Sequence, residues 1–160
     1  MIRVATNADI ADLARVHVQS WRETYAGIVP QKYLDDLSLE SREQQWQRTL
    51  EFGNAVFVAE VADQIVGFVS CGATRDEGYD AEVYALYLLE SQHGLGIGKA
   101  LFQMALEALR SQGKCRVIVW VLADNPTRTF YQHMGGVQTL EKPIEIGGAT
   151  LLELGFAFKV

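Results

Sequence analysis

The polar and apolar positions divide the chain into a helical first third and a strand-rich remainder. Residues 2–5 predict a short strand. Over residues 8–25, Ile10, Leu13, Val16, Val18 and Trp21 recur at near-helical spacing, and Asn7 or Asp9 is the expected cap. Val29-Pro30 interrupts that stripe, and Pro30 opens a short helix through Tyr33 and Leu34. Ser41 starts a third, polar helix through Trp46 and Leu50, which Gly53-Asn54 ends.

From residue 55 the period changes. Residues 55–61 and 65–72 are apolar, β-branched runs joined at Asp63-Gln64, the pattern of a hairpin. A polar linker, Thr74–Asp80, leads to a third strand at 81–89, where Val83, Ala85, Tyr87 and Leu89 alternate with Glu82, Tyr84, Leu86 and Leu88. Lys99–Gln112 reads as a helix. Phe102, Leu106 and Leu109 form its apolar stripe, Leu101, Ala105 and Ala108 the adjacent one, and Gly113 its stop. Cys115–Leu122 is a buried-type strand, 126–134 a short helix, and 137–146 with 149–158 a hairpin around Gly147-Gly148. The order predicts one α/β (α+β) domain over residues 1–160. Its sheet is mixed, mostly antiparallel and of about seven strands, with a parallel strand–helix–strand unit at its centre.

Between that third strand and its helix lies Gln92-His93-Gly94-Leu95-Gly96-Ile97-Gly98-Lys99. Glycines at alternate positions let backbone N–H groups turn outward, and the helix start adds unpaired N–H groups of its own. Together they suit a phosphate. A P-loop is excluded by spacing, because His93 stands where its first glycine belongs and Ala100 where its hydroxyl belongs. The dinucleotide fingerprint fails too, with Lys99 at its last glycine.

Composition narrows the classes. Apolar residues are 49% and charged residues 21%, which suits a globular domain. No apolar run approaches the roughly 18 residues of a membrane span. Met1-Ile2-Arg3-Val4-Ala5 lacks the apolar stretch of a secretory signal. Cytoplasmic location is therefore expected, with no membrane partner. A net charge of −6 disfavours nucleic acid and is compatible with a cationic substrate. Cys71 and Cys115 read as small core residues, too far apart in sequence for a metal motif, and no metal is expected.

Glu82-Val83-Tyr84-Ala85-Leu86-Tyr87-Leu88, then His93–Gly98, then Asn125 with Phe130-Tyr131, follow one another in an order that resembles the GNAT acyltransferases. Gly135-Gly136 and Ile146-Gly147-Gly148 resemble one branch of that family. The likeness spans essentially the whole chain. It departs at His93, where the family usually has Gln or Arg.

The resemblance implies an acetyl-CoA-dependent N-acetyltransferase. A primary amine of a small molecule attacks the thioester directly, in a ternary complex. Backbone N–H groups of Gly94, Leu95, Gly96, Ile97, Gly98 and Lys99, helped by His93, would hold the CoA diphosphate. Leu86, Tyr87 and Leu88 would offer backbone groups to the pantetheine arm where this strand splays from the next. Tyr131 is the expected general acid for the thiolate, with packing in its short helix as the alternative. Glu82 is the expected base for the amine, directly or through water, with an exposed strand carboxylate as the alternative. Asn125 would contact the cofactor or cap the following helix. Trp21, Tyr25 and Tyr84 would line the acceptor site, and Trp21 with Tyr25 would equally serve as a core aromatic pair. His17 and His133 read as structural. The family often forms homodimers. The rivals are a non-catalytic acyl-CoA sensor of the same fold and an enzyme acting on protein or peptide amino groups, or with a longer acyl chain.

Overall fold

The alternating runs assemble into one seven-stranded sheet in the computed structural model, which describes all 160 residues. The strands are β1 (Ile2–Val4), β2 (Ala55–Val61), β3 (Gln64–Gly72), β4 (Ala81–Leu88), β5 (Arg116–Leu122), β6 (Val137–Ile146) and β7 (Ala149–Lys159). Their order is β1-β2-β3-β4-β5-β7-β6, antiparallel throughout except for the central β4–β5 pair. The helices are α1 (Ile10–Tyr25), α2 (Gln31–Asp35), α3 (Leu39–Glu51), α4 (Ile97–Ser111) and α5 (Arg128–His133).

The period-2 alternation of β3 sorts the helices onto two faces. Gly67 lies beneath the Leu101 side chain of α4, and the Cys71 thiol faces the Ala105 carbonyl of the same helix. Phe68, between them in the alternation, meets His17 of α1 and Trp46 of α3 on the other side. Both faces of the central strands are thus covered, and Phe68, Phe102 and Phe156 are fully buried. Gly67 has a packing reason for being glycine: a Cβ there would lie 2.8 Å from Leu88 Cδ1 and 2.9 Å from the Tyr87 carbonyl oxygen.

Several local expectations need correction. Asp9 holds the N-cap position of α1 but makes no side-chain cap bond there; a single 3-10 turn, Asn7–Asp9, precedes the helix and is itself capped at Thr6, whose N–H donates to Asp9 Oδ2 at 2.8 Å. Ser38 caps α3, accepting from the Ser41 N–H at 3.2 Å, so that helix begins before Ser41. The β2–β3 turn is Ala62-Asp63, both at positive φ (51° and 63°), one residue earlier than the polarity of Asp63-Gln64 suggests. α4 starts at Ile97, two residues before Lys99. Cys115 is exposed, because it precedes β5 and does not enter the sheet; Cys71 is buried.

Candidate active site

β4 and β5 pair over only three residues each, Ala81–Val83 against Val117–Val119. β4 then runs on to Leu88, still bonded to β3, and β5 to Leu122, still bonded to β7. The two strands part in the middle of the sheet, leaving a row of backbone groups on each without a strand partner. The gap opens into a cavity of about 600 Å³. Trp21, Tyr25, Glu82, Tyr84, Leu86, Tyr87, Asn125 and Tyr131 line it, so one cleft gathers most of the residues picked from the sequence for chemistry and substrate binding.

The phosphate-type turn sits at the far end of β4. Gly94 and Gly96 have φ of +80° and +81°, and Gly96 passes the chain into α4. The backbone N–H groups of Gly94, Leu95, Gly96, Ile97, Gly98 and Lys99 donate to no acceptor in the protein; the helical ladder starts at Ala100, which bonds to Gly96 O at 3.1 Å. Six successive unpaired donors at a helix N-terminus form a strong anion-binding surface. Gly98 is informative in a different way. Its φ is not positive, and a Cβ added there would touch nothing within 4 Å. Nothing inside the protein calls for glycine at 98, whereas close approach of an external ligand would.

His93 points elsewhere. Its Nε2 lies 2.9 Å from the Leu88 carbonyl oxygen. A carbonyl only accepts, so Nε2 carries the proton and the ring ties the turn back to the end of β4. The Leu88 side chain packs over Gly67 rather than into the cavity.

Four tyrosines line the cleft: Tyr25, Tyr84, Tyr87 and Tyr131. Tyr25 Oη and Tyr87 Oη are 3.1 Å apart, and Asn125 Nδ2 donates to Tyr25 Oη at 3.4 Å. The Asn125 Oδ1 accepts from the Thr127 N–H at 2.9 Å and from the Thr127 hydroxyl, which shapes the turn into α5. Tyr131 is only 6% exposed, and its hydroxyl bonds to no protein group. Burial, reinforced by Tyr25, pushes its phenol above the ordinary value, so it keeps its proton at neutral pH. Gly136 sets the seat of α5: a Cβ there would stand 2.5 Å from Phe158 Cζ and 2.8 Å from the Tyr131 carbonyl oxygen.

At the other end of the cleft, Glu82 Oε1 lies 3.1 Å from Thr74 Oγ1. Burial raises its carboxyl above the usual range, and Asp76 and Glu153 add to the shift while Thr74 and Lys142 oppose it. Tyr84 lines the cavity, but its hydroxyl donates to the Ala73 carbonyl, so that proton is committed to holding the β3–β4 loop. Trp21 and Tyr25 pack ring to ring at 4.5 Å, and both also line the cavity. His17 is enclosed by Trp21, Trp46, Phe68 and Tyr87, and His133 is exposed on α5.

Sequence reasoning missed Asp76, Trp120, Lys142 and Glu153, which also line the cleft. Lys142 and Glu153 are paired directly across β6 and β7, and opposite charges one hairpin apart were a visible signal. Trp120 gave none, since an indole inside an apolar strand reads as core.

The sequence and the fold both have counterparts among known proteins. The sequence model of the Acetyltransferase (GNAT) family matches residues 17–135. The uncharacterized N-acetyltransferase YuaI of Bacillus subtilis is 40% identical over 161 residues, covering 98% of this chain and 91% of its own length. The ribosomal-protein-alanine N-acetyltransferase of Brucella melitensis superposes with a TM-score of 0.80 at 24% identity, covering 100% of this chain and 99% of its own. The protein yncA of Salmonella typhimurium, solved with acetyl-CoA, gives a TM-score of 0.77 at 20% identity, with 99% of this chain and 92% of its own covered. With its parted central strands, its donor-lined turn and these sequence matches, the chain belongs to the acetyltransferase (GNAT) family.

Proposed function

We infer that this acyltransferase moves an acetyl group from acetyl-CoA to a primary amine of a small molecule, with donor and acceptor bound together. The carrying observation is the run of six unpartnered N–H groups at the end of the strand that splays from its neighbour. When bound, acetyl-CoA supplies an acetyl group already activated as a thioester.

The chain's own groups divide the remaining work. Gly94–Lys99 hold the diphosphate through main-chain donors, with the positive end of α4 behind them. The free edge of Leu86–Leu88, apart from the Leu88 carbonyl held by His93, bonds to the pantetheine arm as an added strand would, and an N–H of that edge polarises the carbonyl under attack. The Asn125 amide, fixed at Oδ1 by Thr127, has a second N–H for the same arm. Tyr131 holds a proton at its phenol oxygen on the cavity wall, where a departing thiolate would need it. Glu82 takes the proton of the acceptor ammonium, directly or through water. Its raised affinity for protons brings it closer to neutral pH, as a base requires.

A cavity of about 600 Å³ suits a small acceptor. The β6–β7 hairpin tip closes one side, with Gly147 packed on Tyr33 of α2, which leaves little room for an extended peptide. No helix is long and apolar enough to cross a membrane. Thermal denaturation with acetyl-CoA, followed by thiol release across an amine library, tests the assignment. A melting temperature unmoved by millimolar acetyl-CoA would refute it. Stabilisation without thiol release from any amine would favour a sensor.

A further inference from the structure

A line of polar contacts crosses the cleft from β4 to the β6–β7 hairpin. Thr74 Oγ1 lies 3.1 Å from Glu82 Oε1 and 3.3 Å from Asp76 Oδ2. The Trp120 indole N–H donates to the same Asp76 oxygen at 2.9 Å. The Lys142 Nζ stands over that indole, 4.2 Å from the ring centre, and 3.5 Å from Glu153 Oε1. Asp76, Glu82, Trp120, Lys142 and Glu153 all line the cavity. Arg75 lines it too, exposed and without an ion pair.

A cross-strand pair accounts for Lys142 and Glu153 alone. It does not account for the indole. Trp120 lies just past the point where β5 leaves β4, and its N–H is locked on a carboxylate so that its π face is fixed towards the ammonium. An aromatic face with Asp76 at its N–H edge, Glu153 beside the ammonium above it and Glu82 joined to Asp76 through Thr74 is a receptor for a cation, and the protein's own Lys142 demonstrates the fit. Lys142 is also a loose occupant. It sits on the edge strand β6 with its side chain 50% exposed, so its ammonium can swing into water without moving backbone. A negatively charged acceptor group placed here would face Asp76, Glu82 and Glu153, and Lys142 is already neutralised by the last of these.

We propose that the Trp120 face, with Asp76, Glu82 and Glu153 around it, binds a second ammonium group of the acceptor, and that Lys142 fills this site in the free protein and yields it to substrate. The acceptor class is then a diamine or longer polycation, acetylated at one nitrogen and held by another. The proposal rests on the acetyl-transfer function of the cleft, which it refines.

Calorimetric titration of the folded chain tests it, using 1,4-diaminobutane and, as single-cation reference, butylamine, each alone and with coenzyme A present. The wild type binds the diamine more tightly than butylamine. Lys142→Met removes the resident cation and widens that preference by about tenfold, the scale of a cation–π contact. Trp120→Leu shrinks it towards one. A preference equal in all three proteins, or absent from the wild type, overturns the proposal. So does a narrower preference in Lys142→Met, or a β-alanine affinity that depends on Lys142, which would assign Lys142 to a substrate anion. If Trp120→Leu does not fold, the direction of the Lys142→Met change decides. Titrations of the free protein contain no donor, so they judge the cation site even if acetyl-CoA fails to stabilise the protein and the acetyl-transfer function falls.

Discussion

His17 makes stability depend on pH in a way that can be worked out in advance. Its ring is packed against Trp46 and Phe68 and stacks on Tyr87 of the cleft wall, with ring centres 5.7 Å apart and planes 21° apart. Burial, with Arg42 adding to it, lowers its pKa from 6.5 to about 3. In the unfolded chain the imidazole takes its proton as the pH falls through 6.5; in the fold it stays neutral until about 3. Between these values the unfolded state binds more protons, so stability is complete above 6.5 and is lost as the pH falls. At about 1.4 kcal/mol per unit, the step from pH 6.5 to 5 removes about 2 kcal/mol, a sizeable share of the 5–15 kcal/mol of an ordinary domain. Glu82 and Glu153 act with the opposite sign, since their carboxyls bind protons more readily folded than unfolded. The difference between wild type and His17→Phe at each pH isolates the histidine. Urea unfolding followed by tryptophan fluorescence should show the Phe variant gaining about 2 kcal/mol on the wild type between pH 6.5 and 5. A gap that stays constant over that interval would mean that His17 is hydrated or paired in the fold, and would refute the enclosure described.

The glycine turn separates binding from folding: Gly98→Val should weaken acetyl-CoA at least tenfold by titration with little change in melting temperature, because the helical φ and open space at 98 admit the side chain. Gly96→Val should lose stability as well, by roughly 1–2 kcal/mol in urea unfolding, because of its φ of +81°. Tyr131→Phe should lower turnover by roughly a hundredfold while the acetyl-CoA-induced rise in melting temperature remains; unchanged turnover would remove the phenol from the chemistry. Turnover in the wild type should fall as the pH drops through a value above the usual carboxylate range, since Glu82 must be ionised to take a proton. Glu82→Gln should be slower by about a hundredfold and lack that acid limb. Gly136→Ala should cost about 1–3 kcal/mol in unfolding free energy and also impair turnover, because Phe158 or the Tyr131 backbone must shift to admit a methyl group.

The order of helices and strands was legible from residue 1 to residue 160 because hydrophobic period is a local property of the chain. The Gly94–Lys99 turn was legible for a related reason. The function proposed for it lies in the backbone, and glycine spacing records directly where a backbone adopts positive φ or leaves room for a ligand. Boundaries slipped where a side chain caps from outside the periodic stripe, as Ser38 does, and where turn chemistry is unusual, as at Ala62-Asp63. Cys115 was misplaced because one residue of apolar character before a strand has the same pattern as one inside it.

The contents of the cleft were only partly written in local pattern. Tyr131, Asn125 and Glu82 were found through the order of their motifs, and the fold brings them to one cavity. Trp120, Asp76, Lys142 and Glu153 come from a strand, a loop and a hairpin that meet only because β4 and β5 part after Val83 and Val119. Parting is a property of two strands far apart in sequence, and neither strand signals it alone. Period and glycine placement, which act between near neighbours, are carried by the chain itself. Which distant side chains share a desolvated space, and which protons and charges they hold there, follows from three-dimensional packing.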